Sequence, residues 1–516
     1  MAVRKSIATG NFLTAGTWGL VDATSYLNSE TGSEVLTTAY SGTRSAAFTP
    51  GAIEISGIAL KLSVRTGTTG TISTQLELDV GDVAVSGTEV TIDCADLPAA
   101  VTADANGGWI FFKFASPVLL LGATAYQVAA TTSSVSQVSL FRDGTADNIC
   151  RALVTTTTGA PAAGDDLIVA GEYTAAGASA TYTITMDETV ATDYGSATTS
   201  AVTPALALCA KGILRWGVAA TTNYVLRLSG YAVVYAGGEL DIGTVGAEMP
   251  RNSSGFLEFD CAADGDFGLI TRNLATTVIQ GLSRTVGKLL DRCKLNTDEA
   301  ANSTSLGVDT DTGWLDNDRI AVASTTRTRT DCESGTMSGD AGAATLTVDG
   351  FAGAGGGLLV AHSGTSPTQA EVILLTRNVG IRAVTSTLVT FWNIKPTATV
   401  DCDWAEFYYM GENAVGKRGV EIETTTGSCV FTRCAFHDFE DHGVYLIGNL
   451  ANNVTLQSNV LWNMHSAALT VSTGAIAYQS GGLSGTAGGN SLSAMPSNKA
   501  SGDSPRQTIL IRRSTS

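Results

Sequence analysis

Apolar and polar residues alternate with a period of two along much of the chain. Ile53-Glu54-Ile55-Ser56-Gly57-Ile58-Ala59-Leu60-Lys61-Leu62-Ser63-Val64 and Thr71-Ile72-Ser73-Thr74-Gln75-Leu76-Glu77-Leu78 show it plainly, separated by the turn Gly67-Thr68-Thr69-Gly70. Such runs predict strands with one buried face, and turn signals every ~8–12 residues predict a β-sandwich. Trp109-Ile110-Phe111-Phe112-Lys113-Phe114, Pro117-Val118-Leu119-Leu120-Leu121 and Tyr126-Gln127-Val128 continue the pattern. Residues 1–228 are therefore expected to form a sandwich, with Ala180-Thr181-Tyr182-Thr183-Ile184-Thr185-Met186 among its outer strands.

A different order appears in residues 386–475. Arg433-Cys434-Ala435-Phe436-His437-Asp438-Phe439 superposes on Ser458-Asn459-Val460-Leu461-Trp462-Asn463-Met464 at an offset of 25 residues, and the same offset places Gly443-Val444-Tyr445-Leu446 over Ala468-Leu469-Thr470-Val471. Short apolar strands at a fixed period, with Gly and Asn between them, predict a right-handed parallel β-helix. Each turn of the coil cannot bury its inward side chains alone, so turns must stack. Phe407, Phe436 and Leu461 are expected to lie over one another inside it. Residues 476–516 read as a Gly/Ser-rich tail ending in one strand, Gln507-Thr508-Ile509-Leu510-Ile511.

Two resemblances accompany these patterns. The strand order of the first region, with Gly108-Trp109 opening one strand and Pro117-Val118 another, resembles jelly-roll modules of phage fibres and carbohydrate-binding modules. In residues 229–385, Gly237-Gly238-Glu239-Leu240-Asp241-Ile242-Gly243, Trp314-Leu315-Asp316-Asn317-Asp318-Arg319-Ile320-Ala321-Val322-Ala323-Ser324 and Leu374-Leu375-Thr376-Arg377-Asn378-Val379 together resemble the G-eight domain. That resemblance implies an all-β module leading into a parallel β-helix. Asn317 stands where the family has Gly, so the turn there is expected to use Asn at positive φ. His362 resembles a family histidine and reads as structural.

Composition agrees with an all-β chain: 57 of 516 residues are Gly, and only 15% are charged. Thirty Lys and Arg against 48 Asp and Glu leave a net charge of −18, which argues against nucleic acid as a partner. No run of apolar residues is long enough to span a membrane. No apolar segment follows Arg4-Lys5, so no secretory signal is expected. Nine cysteines without a CxxC pair read as reduced, buried thiols.

Candidate chemistry is sparse. His437-Asp438-Phe439-Glu440-Asp441-His442 is the densest polar cluster; Asp438, Glu440 and Asp441 would be the acids of a glycan depolymerase if the chain is one, and capping of a coil turn is the simpler reading. Trp404, Glu406, Tyr408 and Tyr409 combine aromatic faces with a carboxylate, as sugar-gripping surfaces do. Asp309 and Asp311 alternate before Gly313 as in calcium loops, but Ile320 occupies the position of the bidentate Glu, and an Asx turn is the alternative. No cofactor motif appears.

These features point to a structural virion protein of a tailed bacteriophage, such as a tail fibre, tail spike or capsid-surface fibre, made in the host cytoplasm and adhering to the host surface. Expected partners are other virion proteins, two further copies in a homotrimer, and a host-surface glycan. A phage polysaccharide depolymerase and a cell-surface carbohydrate-binding adhesin are the alternatives.

Overall fold

The computed structural model describes residues 2–22, 32–35, 43–65, 67–98, 108–133, 138–143, 148–149, 151–175, 179–196, 204–283, 290–326, 331–423, 427–447, 454–464, 469–471 and 509–510. The fold is all-β, and its spine is a parallel β-helix. Three parallel sheets run along it. In sheet 1, Asp166–Val169, Leu206–Leu208, Ala232–Val234, Leu269–Thr271, Trp392–Ile394, Val420–Ile422, Val444–Leu446 and Leu469–Val471 pair in succession. In sheet 2 the order is Tyr182–Met186, Gly212–Trp216, Glu239–Ile242, Thr276–Gln280, Thr399–Asp403, Cys429–Thr432 and Val454–Gln457. Sheet 3 stacks Asp193–Tyr194, Asn223–Leu228, Ser254–Phe259, Val379–Ala383, Ala405–Tyr408, Ala435–Phe439 and Val460–Met464.

Register follows the repeat. Ala435 pairs with Val460, and Val444 with Leu469. Phe407, Phe436 and Leu461 are in register, and the rings of Phe407 and Phe436 stack at 5.0 Å between centroids. One apolar core fills the coil from Leu167 to Met464. Its walls are strands whose alternate residues point inward, so each turn covers the apolar floor of the next.

In the last turns the corners between sheets 2 and 3 are one or two residues long. Trp404 and Arg433 connect consecutive strands there, and Ser458 takes the equivalent place one turn on; all three have left-handed backbones, with φ of 52°, 54° and 55°. A left-handed residue costs energy for a non-glycine side chain, and neighbouring contacts hold these corners in place. Asn459 lies inside the coil, 2% exposed. Its Oδ1 accepts from the Cys434 backbone N–H at 2.8 Å, and its Nδ2 donates to the Phe431 carbonyl at 2.9 Å.

The parallel ladders begin with Val3–Ser6 on Asp166–Val169 and Gly10–Asn11 on Tyr182–Met186, well before residue 386, so the first two sequence regions both contribute turns of coil. The reason is spacing. Leu206 to Ala232 is 26 residues, Ala232 to Leu269 is 37, and Leu269 to Trp392 is 123. Only the last turns keep a constant period, and a short strand alternates in the same way whether its partner is parallel or antiparallel.

Residues 53–158 form the N-terminal sandwich. Ile53–Arg65 pairs antiparallel with Gly108–Leu120 and with Arg151–Thr158. Thr71–Leu78 pairs with Tyr126–Thr132 to build the opposing sheet. Ile58, Leu60, Ile110 and Phe112 meet Ile72, Leu76 and Val128 between the layers. The other face of the first sheet, carrying Ala59, Trp109 and Phe111, packs on Ala207, Val233 and Ile270 of the coil. Lys5 is fully buried at this junction, where its Nζ donates to Glu172 at 2.9 Å. Burial pulls its ammonium down to about 8 although Glu172 opposes the shift.

The long gap in sheet 1 is an insertion. Gln280 and Asp403 pair as equivalent strand ends, and Val379 pairs with Ala405. Residues 281–378 therefore emerge where the next turn spends one residue, Trp404. They carry a six-stranded antiparallel sheet with its own core around Trp314, Ile320 and Leu346. This splits the expected 229–385 region: its first motif lies in the coil and the other two lie in or beside the insertion. Asn317 has φ 63°, as the turn requires. The insertion folds back onto sheet 3, where Ala321, Ile373 and Leu375 cover Val460 and Trp462.

Eight cysteines are free and buried; Cys150 and the tail segment 481–504 lie outside the described residues. Ile509–Leu510 pairs antiparallel with Val460–Leu461. No helix among the described residues is long and apolar enough to cross a membrane.

Replacing Asn459 by Ala strands the Cys434 N–H and the Phe431 carbonyl inside the coil. The expected loss is about 1–3 kcal/mol per unsatisfied group, read as a lower midpoint in urea unfolding; an unchanged midpoint contradicts the structural role.

Candidate functional site: a cleft between the coil and its insertion

In a parallel coil the outward residues of successive strands align into rows. One such row on sheet 3 is Arg227, Glu258, Arg382, Tyr408, His437 and Trp462. The neighbouring row is Phe256, Gly380, Glu406, Ala435 and Val460. The insertion rises beside these rows and leaves a cleft of about 660 Å³. Phe256, Arg382, Tyr408 and His437 line its floor, with Arg251 and Ser253 on one side and Asn317 and Arg319 of the insertion on the other. Gly380 keeps the floor low: a Cβ there would meet the Glu406 carbonyl at 1.8 Å.

A polar chain ties the insertion to the coil. His437 is 1% exposed; its Nε2 lies 2.9 Å from Glu406 Oε1 and its Nδ1 2.9 Å from Asp438 Oδ2. Arg319 of the insertion donates to the same Asp438 oxygen. The Tyr408 ring stacks on the imidazole at 5.0 Å, 10° from parallel. Burial by itself lowers the imidazole, but hydrogen bonds to Asp438 and Glu406 outweigh it and raise it above its ordinary value. Burial pushes the Asp438 carboxyl upward, yet His437 and Arg319 hold it well below the usual carboxylate range.

The remaining oxygens are also committed. Glu406 Oε2 accepts the Arg377 backbone N–H at 2.6 Å, and Asp438 Oδ1 accepts from Asn463 at 2.6 Å. Glycoside hydrolysis of the two-carboxylate type needs one acid that holds a proton and one free base or nucleophile. Asp438 is held ionised, and each oxygen of Glu406 already accepts one hydrogen bond.

Of the sequence-derived candidates, Glu406, Tyr408 and Tyr409 meet in the cleft, and Asp438 stands behind it. Trp404 does not join them. It is 3% exposed, with its ring beneath the guanidiniums of Arg377 at 4.9 Å and Arg433 at 5.6 Å, so no sugar can stack on it. The cluster from 437 to 442 is divided by Phe439, which points into the core. Glu440 is exposed beyond it, where its N–H donates to the Met410 carbonyl. Asp441 is bound to His442 Nδ1 at 2.6 Å. Asp309 and Asp311 are exposed in the insertion; Asp309 accepts the Lys294 N–H at 3.0 Å, a contact across to the strand Arg292–Lys294. No group of three metal-ligating side chains occurs among the described residues. His362 is buried against Glu333 at 2.7 Å in the insertion, away from the cleft.

Sequence reasoning missed Arg251, Arg319, Arg377 and Arg382. Arg319 meets a partner 119 positions later, so no local pattern marks it. Gly380 and the row alignment are visible only once the register is known.

Fold and cleft together define a parallel β-helix protein with a surface site roofed by an inserted antiparallel sheet. No family model matches the chain, and no curated protein matches it in sequence. Among solved structures it is similar to the tailspike gp61 of Pseudomonas phage phi297, at 9% identity and a TM-score of 0.17, covering 48% of this chain and 39% of that one. The tailspike gp49 of Pseudomonas phage LKA1 gives 12%, 0.17, 50% and 45% in the same order. The Gp54 tailspike of Acinetobacter baumannii bacteriophage AP22, solved in complex with A. baumannii capsular saccharide, gives 10%, 0.16, 51% and 53%. The chain thus spans less than two thirds of the length of each of these tailspikes. None of these likenesses is close enough to transfer a role.

The raised His437 contributes stability that is fully present below the imidazole's unfolded pKa, near 6.5, and is lost as pH rises through its higher folded value. The depressed Asp438 contributes stability above its unfolded value, near 3.9, and loses it only as pH falls through its lower folded one. Wild-type protein is therefore expected to lose thermal stability relative to a His437→Gln variant as pH rises above about 6.5. Parallel curves for the two proteins contradict the charged bridge.

Proposed function

We propose that the chain is a tail fibre or tailspike component of a bacteriophage, and that the cleft on sheet 3 holds a saccharide of the host surface. The observation that carries this reading is the cleft itself. It combines the aromatic side chains of Tyr408 and Tyr409 with side-chain amides and hydroxyls of Asn223, Asn317 and Ser254. Aromatic faces supply apolar contact to the sugar ring, and fixed polar groups supply orientation. The site lies on a stiff stacked scaffold, so its rows of side chains do not rearrange when a ligand arrives.

The rod-like coil supports the virion part of the reading. It transmits force along its axis without hinges. The eight buried thiols need no disulfide for stability, which suits folding in a reducing cytoplasm before release. The N-terminal sandwich would then attach to other virion proteins. Open ends of stacked sheets are safest covered by further copies, so a homotrimer is the assembly we assign, and light scattering on the full chain tests it. Adhesion is favoured over cleavage because His437 and Arg319 hold Asp438 ionised, which leaves it without the proton a general acid must carry.

Tyr408→Ala should weaken binding to host-surface polysaccharide by about 2 kcal/mol, roughly 30-fold, measured by calorimetry on purified capsule or lipopolysaccharide. The wild type should release no reducing ends from the same polymers. Undiminished binding by the variant removes the cleft from the interaction, and steady reducing-end release makes the protein a depolymerase.

A further inference from the structure

Four guanidiniums line the cleft of a chain whose net charge is −18: Arg251, Arg319, Arg377 and Arg382. Two of them, Arg251 and Arg377, have no carboxylate hydrogen-bond partner among the described residues. Arg382 hydrogen-bonds Glu258 at 2.5 Å; Glu258 also binds Arg227 at 2.8 Å, and Asp193 lies 3.8 Å from Arg227, so that pair of guanidiniums faces two carboxylates. Arg319 shares Asp438 with His437. Arg377 spends its side chain on three backbone carbonyls, those of Arg433, Leu374 and Thr376, and its Nη2 is buried without an acceptor among the described residues. Arg251 donates through Nε to the Ser283 carbonyl at 2.6 Å and pairs with no carboxylate among the described residues. Glu406 is the one carboxylate that lines the cleft among them, and each of its oxygens already accepts one hydrogen bond.

A half-buried cation without a counter-charge is costly and is usually completed by a ligand or partner. The guanidiniums are spread over the floor and both sides of the cleft. A planar fork of this kind pairs with a carboxylate through two parallel hydrogen bonds. We infer that the saccharide held in this cleft is acidic and carries carboxylates along its chain, as a uronic-acid polymer does, with Arg251 the principal carboxylate contact. The inference rests on the glycan-binding reading above and names its substrate class.

The test compares oligosaccharides of polyuronic acids with the same oligosaccharides after chemical reduction of their carboxyls, alongside a neutral glucan and a sulfated polymer, by calorimetry on the full chain. The acidic form should bind at least ~10-fold more tightly than its reduced counterpart, as a charge-assisted bidentate pair requires. Arg251→Ala should abolish that preference while the thermal midpoint is unchanged, and Arg251→Lys should restore it only in part. Equal affinity for the acidic and reduced forms overturns the inference and leaves glycan binding standing. Tighter binding of the sulfated polymer than of the uronic one overturns the carboxylate assignment. Absence of binding to every acidic and neutral polymer removes the glycan reading and this inference together.

Discussion

Everything in this molecule depends on the in-register stacking of coil turns. A single turn has strands too short to fold alone, and its inward side chains would face water. Placed on another turn, each strand gains a parallel ladder and each apolar residue a floor. Phe407 on Phe436 on Leu461 is this arrangement at its simplest. The polar counterpart is Asn459, which satisfies two backbone groups of the preceding turn from inside the core.

The same constraint creates the site. Outward residues are forced into rows by the inward ones, so Tyr408, His437 and Trp462 align because Phe407, Phe436 and Leu461 do. A row is a flat surface, and a flat surface holds small ligands poorly. The insertion solves this by leaving the coil at a one-residue corner and returning beside sheet 3. Its apolar edge rests on Val460 and Trp462, and Arg319 anchors it to Asp438. The cleft is what remains between an anchored roof and a rigid floor. Glu406, His437 and Asp438 thus serve the geometry of the site, and their hydrogen bonds are consumed in doing so.

How much of this was legible in the sequence follows from the range of each interaction. The 25-residue repeat around Phe436 and Leu461 could be read because consecutive turns there have equal length. The earlier turns were hidden because loops of differing length separate Leu206, Ala232, Leu269 and Trp392, while the strand alternation itself is the same in a sandwich and in a coil. Asn317 could be assigned its left-handed backbone from the turn it occupies. Tyr408, Tyr409 and Glu406 were found because they are neighbours in sequence. Trp404 was misread for the same reason: adjacency placed it with the tyrosines, whereas the left-handed corner turns it beneath Arg377 and Arg433.

The arginines of the cleft show why charge totals mislead about sites. A net charge of −18 describes the field far from the protein, and within a screening length of roughly 8 Å at physiological salt only nearby groups count. Arg251 reaches the cleft from the turn before the third strand of sheet 3, Arg319 from the insertion, and Arg377 and Arg382 from the segment where the chain re-enters the coil. They come from three separate parts of the chain, and none stands in a basic run. Their convergence is set by the same register that stacks the phenylalanines, so the positive cleft and the apolar core are two faces of one packing solution.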